Sequence, residues 1–274
     1  MSVADRLFDV RDARVIVTGA ASGLGLAMAE VMAAGGAKVT MADLNPEMLA
    51  EAKGELEQTG AELRTAELDV SDRGQVDEVF DAAVAEWGGV DVVYANAGIS
   101  LEPGFTNPAG GLDSIEDEHW EAVLGVNLNG VVHTMGAAAR AMKKQGSGKI
   151  VVTASNAGLK VEPLVGYSYA ATKAAVIHIV KQAAIELAPH GINVNALAPG
   201  PTWVREGPAP ALDKAPVPSG EPLADTIADR LARLPLGHWG EPMEQGKAAV
   251  FLASAMSDFV TGAYLPVDGG WLLL

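Results

Sequence analysis

Residues 14–25 read Arg14-Val-Ile-Val-Thr18-Gly19-Ala20-Ala21-Ser22-Gly23-Leu24-Gly25. A short β-branched run passes into a glycine-rich turn, and an alanine-rich stretch suited to a helix follows. A strand apolar on both faces belongs inside a parallel sheet covered by helices on both sides. Glycines at a strand-to-helix turn let the backbone bend sharply and approach a pyrophosphate, whose charge is met by the helix N-terminus. The spacing is G-x-x-x-G-x-G, so the generic G-x-G-x-x-G fingerprint is not satisfied; position at the first turn carries the reading. Asp43 stands at the end of the next apolar run, eighteen residues after Gly25. An acid there accepts hydrogen bonds from the ribose hydroxyls of an adenosine and repels a 2′-phosphate. Residues 44–48 and the glycine loop offer no basic group to offset that repulsion. The expected coenzyme is therefore NAD, with helix capping as the alternative role for Asp43.

The same alternation continues along the chain. Strands are expected at Arg14–Thr18, 38–42, 63–68, 90–95, 149–154, 192–198 and 263–267. Helices are expected at Gly23–Ala34, 46–59, Arg73–Trp87, 116–144, 169–188 and Pro242–Ala253. This βαβα order predicts an α/β fold, a Rossmann-type doubly wound parallel sheet of about seven strands flanked by helices. Two segments break the rhythm after strands: 101–113, with Pro103, Gly104, Pro108, Gly110 and Gly111, and 199–222, with seven of the fifteen prolines. Ligands sit beyond the carboxyl ends of strands in such sheets, so both are candidate site walls.

Composition narrows the function classes. With 49% hydrophobic residues in 274 there is ample material for a core. The net charge of −16 repels phosphate backbones and anionic lipid, which excludes nucleic acid and membrane surfaces as expected partners. The absence of cysteine removes thiol nucleophiles, thiolate metal sites and disulfides. Residues 1–14 mix Asp5, Arg6, Asp9, Arg11 and Asp12 with isolated apolar residues, unlike a signal peptide, and no apolar run reaches the ~18 residues of a membrane span. A cytoplasmic location is the expectation. The five histidines, at 119, 133, 178, 190 and 238, show no ligand spacing, and no metal is expected.

Tyr169 and Lys173 are four apart and share one face of a helix. Ser155 ends the fifth expected strand, and Asn127 lies within the preceding helical stretch. Such a Tyr–Lys pair is cheap alone; its context is not. The ordered set Thr18-Gly-x-x-x-Gly-x-Gly25, Asp69-Val70, Asn96-Ala97-Gly98, Asn127, Ser155, Tyr169-x-x-x-Lys173, Pro199-Gly200 and Val267-Asp-Gly-Gly270 resembles the short-chain dehydrogenase/reductase family, classical subgroup, over essentially the whole chain. Two departures stand out: Ala95 precedes Asn96 where a second Asn is usual, and the Ser155–Tyr169 separation is one residue longer than the commonest form. The second implies an altered substrate wall.

The resemblance implies one NAD-binding domain over 1–274, with variable substrate loops at about 101–115 and 199–225. It implies a catalytic set of Asn127, Ser155, Tyr169 and Lys173, with Asn127 positioning a water that links Lys173 to solvent. It implies coenzyme contacts from Gly19, Ser22, Gly23, Leu24 and Gly25, then Asp43 and Leu44, then Asp69 and Val70 beside the adenine. Asn96, Ala97 and Gly98 would leave room for the cofactor, Tyr169 and Lys173 would hold the nicotinamide ribose, and Pro199, Gly200 and Thr202 would complete the set, Thr202 facing the carboxamide. The expected activity is interconversion of a secondary alcohol and a ketone. The alternatives are a carrier-protein- or CoA-linked 3-oxoacyl reductase, disfavoured by the acidic charge, and a non-enzymatic NAD-binding regulator.

The chemistry asks that Tyr169 take the alcohol proton, so its reference pKa of about 10 must fall towards neutral. Three units correspond to roughly 4 kcal/mol of phenolate stabilisation. Lys173 and the positive nicotinamide are the expected source, with Ser155 aligning the substrate oxygen. Tyr167 has no lysine partner, and Lys160 and Lys181 read as solvated surface groups. Leu101, Phe105, Leu159, Val161, Trp203 and Val204 are expected to form an apolar mouth. Glu102, Asp113, Glu206, Asp213 and Glu221, against Arg205 and Lys214, disfavour a carboxylate substrate. The apolar tail Trp271–Leu274 is expected to bury itself in a partner subunit, giving a homotetramer or homodimer.

Overall fold

The computed structural model describes residues 8–204 and 234–274. Seven strands form one sheet: β1 (Arg14–Thr18), β2 (Lys38–Asp43), β3 (Leu63–Glu67), β4 (Val92–Ala95), β5 (Gly148–Thr153), β6 (Ile192–Pro199) and β7 (Tyr264–Val267). Their spatial order is β3-β2-β1-β4-β5-β6-β7, and every pairing is parallel. The described helices are α1 (Gly23–Ala34), α2 (Pro46–Leu56), α3 (Arg73–Trp87), α4 (Asp117–Leu124), α5 (Val131–Gln145), α6 (Tyr167–Leu187) and α7 (Pro242–Ala253).

The helices divide the core in two. Met28 and Met32 of α1, Leu49 of α2 and Leu252 of α7 pack against one face of the sheet with Val15, Val17 and Tyr94. Phe80 of α3, Met142 of α5 and Val176 and Val180 of α6 pack on the other with Ile16, Val93 and Ile150. The central strands are buried on both faces, which is why β1 and β4 read as unbroken apolar runs. β3, at the edge, carries the exposed Thr65 and Glu67.

The order reverses at β1, which pairs with β2 on one side and β4 on the other. The crevice at that switch, beyond the strands' carboxyl ends, is where a doubly wound sheet binds ligand. Several expected bounds change in detail: α2 ends at Leu56 and runs on as a 3-10 turn at Glu57–Thr59, and β4 begins at Val92. The helical stretch at 116–144 is broken by a π-helical turn at Gly125–Gly130, and α6 begins at Tyr167 instead of 169.

Candidate active site

A cleft of about 550 Å³ opens at the switch point. Gly19, Ser22, Gly23 and Leu24 line one end with Asp43 and Leu44. Asp69, Val70, Asn96, Ala97 and Gly98 line its middle, and Ser155, Tyr169, Lys173, Pro199, Gly200 and Thr202 the other end. Two of the expected site residues lie beneath this lining. Gly25 packs so tightly that a Cβ would come within 1.9 Å of the Gly19 carbonyl oxygen. Asn127 is fully buried in the π-helical turn.

Ser22 caps α1 without a side-chain bond, leaving the first-turn N–H groups to meet an anion. Asp43 does not cap α2; Asn45 does, accepting from the Glu47 and Met48 amides. The Asp43 carboxylate instead accepts from Ala21 N at 3.0 Å and Asn45 N at 3.1 Å, which holds it at the rim of the cleft. Asp69 is likewise no helix cap: that role falls to Asp72, and Asp69 accepts from the backbone N and hydroxyl of Ser71.

Asn96 ties three strand ends together. Its Nδ2 donates to the Thr18 carbonyl at 3.1 Å, and its Oδ1 accepts from Thr153 Oγ1 at 2.9 Å. Farther along the loop, Ile99 pairs with Asn127 in both directions, donating from its N and accepting at its O at 2.8 Å each. The loop after β4 is thereby fixed against the catalytic face of the helices.

Ser155 lies just beyond β5, which ends at Thr153. Its Oγ accepts from Ala157 N at 3.1 Å and donates to Asn156 Oδ1 at 3.3 Å. Lys173 is buried, its Nζ donates to the Thr153 carbonyl at 2.8 Å, and it lies 5.5 Å from the centre of the Tyr169 ring. Burial pushes the Lys173 ammonium down to about 8. Burial also raises the Tyr169 phenol, with hydrogen bonding from Ser155 working the other way. Among the protein's own groups desolvation outweighs that hydrogen bond; the expected lowering was assigned to Lys173 together with the positive nicotinamide.

A second cavity of about 340 Å³ adjoins the first and shares Ser155, Tyr169 and Gly200 with it. Its apolar wall is Leu164, Val165, Pro201, Trp239 and Trp271. Of the expected mouth residues only Val204 lines either cavity. Leu101, Phe105 and Val161 are exposed, and Trp203 stacks on Trp239 with centroids 5.8 Å apart. Tyr167 stacks on Phe105 at 6.3 Å.

Within the tail Trp271 and the last two residues differ: Leu273 and Leu274 are exposed. Trp271 is buried against its own chain, lining this cavity and donating Nε1 to Glu162 Oε2 at 2.9 Å. Gly269 and Gly270 both adopt positive φ, and Asp268 accepts from Gly270 N and Leu272 N, turning the chain back on itself. Lys160 donates to the Leu274 carbonyl, and Lys181 sits over the Tyr264 ring, so neither is merely solvated. Glu102 is engaged with Ser168; Arg205, Glu206, Asp213, Lys214 and Glu221, with most of the 199–225 segment, lie outside the described residues.

The model of the family described as Enoyl-(Acyl carrier protein) reductase matches residues 19–272. Galactitol 2-dehydrogenase of Agrobacterium fabrum is 37% identical, over 94% of this chain and 96% of the relative. The 3-oxoacyl-[acyl-carrier-protein] reductase of Thermotoga maritima is 36% identical, over 94% and 97%. The crystal structure of a short-chain type dehydrogenase/reductase from Mycobacterium marinum superposes with a TM-score of 0.85 at 33% identity, over 99% of each chain.

The chain belongs to the short-chain dehydrogenase/reductase family. It is an oxidoreductase of that family, on a Rossmann-type sheet. Sequence reasoning missed several groups that shape this dehydrogenase/reductase site: Thr153, whose carbonyl holds Lys173, and Asn156, Glu162, Trp239 and Trp271 in the second cavity. Proximity to the Ser–Tyr–Lys motif pointed to Asn156; nothing local pointed to Trp271. Among the described residues no cluster of three or more potential metal ligands occurs, and no helix is long and apolar enough to cross a membrane.

Proposed function

We propose that the protein is an NAD-dependent dehydrogenase that interconverts a secondary alcohol and a ketone, with Tyr169 as acid/base. The observation carrying this reading is the shared boundary of the two cavities. Ser155 and Tyr169 stand between a cleft with an acid at its adenosine end and an apolar chamber sized for a small organic molecule.

In this reading Ser155 Oγ donates to the substrate oxygen, and Tyr169 Oη removes or returns its proton. Lys173 orders the coenzyme ribose, and its charge favours the phenolate. Asn127 braces the loop at Ile99 and positions the water relay behind Lys173. Bound nicotinamide supplies the hydride acceptor or donor and further positive charge. Gly19, Ser22, Gly23, Leu24 and Gly25 receive the pyrophosphate. Asp43 and Leu44 hold the adenosine ribose, and Asp69, Val70, Asn96, Ala97 and Gly98 flank the adenine and the middle of the coenzyme. Pro199, Gly200 and Thr202 close over the nicotinamide. Asp43 selects NAD, since Lys173 is the only Lys or Arg lining the cleft among the described residues.

The reading takes residues 1–274 as one domain, its substrate walls supplied by about 101–115 and 199–225. It carries a cytoplasmic location, supported by the lack of cysteine, and a homotetramer or homodimer, supported by exposed Ile185 and Phe259. Relatives named cyclohexanol dehydrogenase, from Rhodococcus sp., and sorbitol dehydrogenase, from Cereibacter sphaeroides, support an alcohol as substrate. The carrier-linked alternative draws on the Thermotoga maritima relative and the family model; the net charge of −16 opposes docking of an acidic carrier.

The test is a panel of secondary alcohols and an acetoacetyl thioester with both coenzymes, followed by the absorbance of reduced coenzyme. Alcohol-dependent reduction of NAD⁺ is expected, lost in Tyr169→Phe while NADH titration is preserved. Turnover of the thioester alone would transfer the assignment to the carrier-linked class, and silence with every compound would leave a binding protein. Replacing Asp43 with Ala is expected to lower kcat/KM for NAD⁺ about tenfold, or ~1.4 kcal/mol, and to raise that for NADP⁺.

A further inference from the structure

Gln245 is a polar residue on the buried face of α7. It is 1% exposed and shares that face with Ala249, Leu252 and Ala253, which pack in the core. Its Oε1 is buried and has no hydrogen-bond partner among the described residues. An acceptor left unpaired there costs stability that an apolar side chain would keep. The use of the amide therefore lies at its other end. Nε2 donates to the Val267 carbonyl at 2.9 Å and to Thr202 Oγ1 at 3.3 Å. A carbonyl oxygen only accepts, so the nitrogen end must face Val267, and its two protons serve the two partners.

These bonds close a ring. The Thr202 hydroxyl donates to the Gly200 carbonyl at 3.0 Å, and Gly200 N donates to the same Val267 carbonyl at 3.1 Å. Gly200 and Thr202 both line the cleft at the end that holds Ser155, Tyr169 and Lys173, whereas Gln245 lies outside the lining. The backbone on either side of Thr202 pairs with Gly240: Gly240 N donates to the Pro201 carbonyl at 3.0 Å, and Trp203 N to the Gly240 carbonyl at 2.8 Å. The Gln245 amide is what joins the Thr202 side chain to the end of β7.

We propose that Gln245 is a positioning residue for the nicotinamide end of the coenzyme: from outside the cleft it sets the 200–202 wall against the end of β7 before coenzyme arrives. The inference rests on the dehydrogenase reading above and deepens it. Gln245 acts through Thr202 and Gly200 and touches no reacting group. Without its amide, Thr202 keeps its bond to Gly200 and loses its tie to β7. The wall must then be ordered at the moment of binding, which lowers affinity for whatever it contacts. The glycine loop and Asp43 line the opposite end, so the adenosine and pyrophosphate contacts stay as they are. The loss is confined to the nicotinamide.

The experiment is calorimetric titration of the full-length protein with NADH against ADP-ribose, and with NADPH against 2′-phospho-ADP-ribose. Each second ligand carries a hydroxyl where the coenzyme carries nicotinamide. The wild type is expected to bind its coenzyme about fivefold tighter than the matching fragment, or better. Gln245→Met, which keeps the length and loses the donors, is expected to bring the two within about twofold, with the fragment bound as in the wild type. Thr202→Val is expected to do the same, and adding Gln245→Met to it to change nothing further, since both act through Thr202. Gln245→Asn, too short to reach both acceptors, replaces the Met variant if that one does not fold. The proposal is overturned by a wild type without preference for the coenzyme, or by an undiminished preference in the Gln245 variant. Equal weakening of both ligands, additive losses in the double variant, or failure of both Gln245 variants to fold overturns it too. In all of these the wild type still binds coenzyme, and the dehydrogenase reading stands. A wild type that binds neither NADH nor NADPH brings down both.

Discussion

Lys173 is a charged group held where charge is expensive. Its ammonium is buried, and burial lowers it to about 8 from 10.5. The folded protein thus binds this proton less tightly than the unfolded chain, and the cost is full below about pH 8. As pH rises from 8 to 10.5 the folded form has already released the proton, and the cost disappears. Lys173→Met is therefore expected to stabilise the protein by about 1–3 kcal/mol at neutral pH, with the gain vanishing near pH 10.5, while turnover is lost. Urea unfolding at the two pH values checks the sign. Tyr169 and Lys173 were legible because helix geometry puts such a pair on one face and the ordered motifs around it single it out, and Asp43 because it closes the second apolar run. The burial of Tyr169 was not legible, because desolvation depends on tertiary neighbours that sequence does not bring together.

At the scale of elements, two of the three helices whose ends agreed best, α3 and α7, carry clear terminal chemistry. Asp72 caps α3, and a capping box with Pro242 opens α7. The π-helical turn carries no comparable signal, since its register depends on the contact of Asn127 with a loop 28 residues away. The start of α6 is another long-range case. Gly166, its N-cap, provides no side chain, and Glu102 from the loop after β4 supplies the acceptor, bonding Ser168 Oγ at 2.7 Å and Ser168 N at 3.4 Å. A bridge between Pro103 and Val165 continues this clasp. The longer Ser155–Tyr169 segment thus finds its place against the 101–115 segment, one residue before Tyr169. Glu102→Ala is expected to cost about 2 kcal/mol in chemical denaturation and to lower kcat more than it changes KM. Glu102→Gln, which keeps an acceptor, recovers most of both.

Across the whole molecule, the two core halves place the glycine loop, the Asn96 staple and the Ser–Tyr–Lys group at one end of the sheet. The chain terminus joins them there. Trp271 forms part of the second cavity, and Glu162, Asp268 and Lys160 hold the tail in place. Deleting Trp271–Leu274 is expected to raise KM for small cyclic alcohols several-fold and to leave the solution mass unchanged. Kinetics paired with sedimentation separate this intramolecular role from the subunit contact that the exposed-looking sequence implied.

The α/β class, the strand-and-helix order and most of the lining of the first cleft were determined by the sequence itself. Hydrophobic period, glycine placement and short-range spacing act within a few residues, and one chain reads them without its neighbours. The second cavity was decided only by tertiary structure. Its walls come from residues 100, 155–157, 162, 164–165, 169, 200–201, 239 and 271. Whether an apolar side chain such as Trp271 faces solvent, a partner or its own active site depends on how the chain folds back. At Gly269–Gly270 that turn is permitted by the local sequence, but its destination is set by Glu162, 109 residues away.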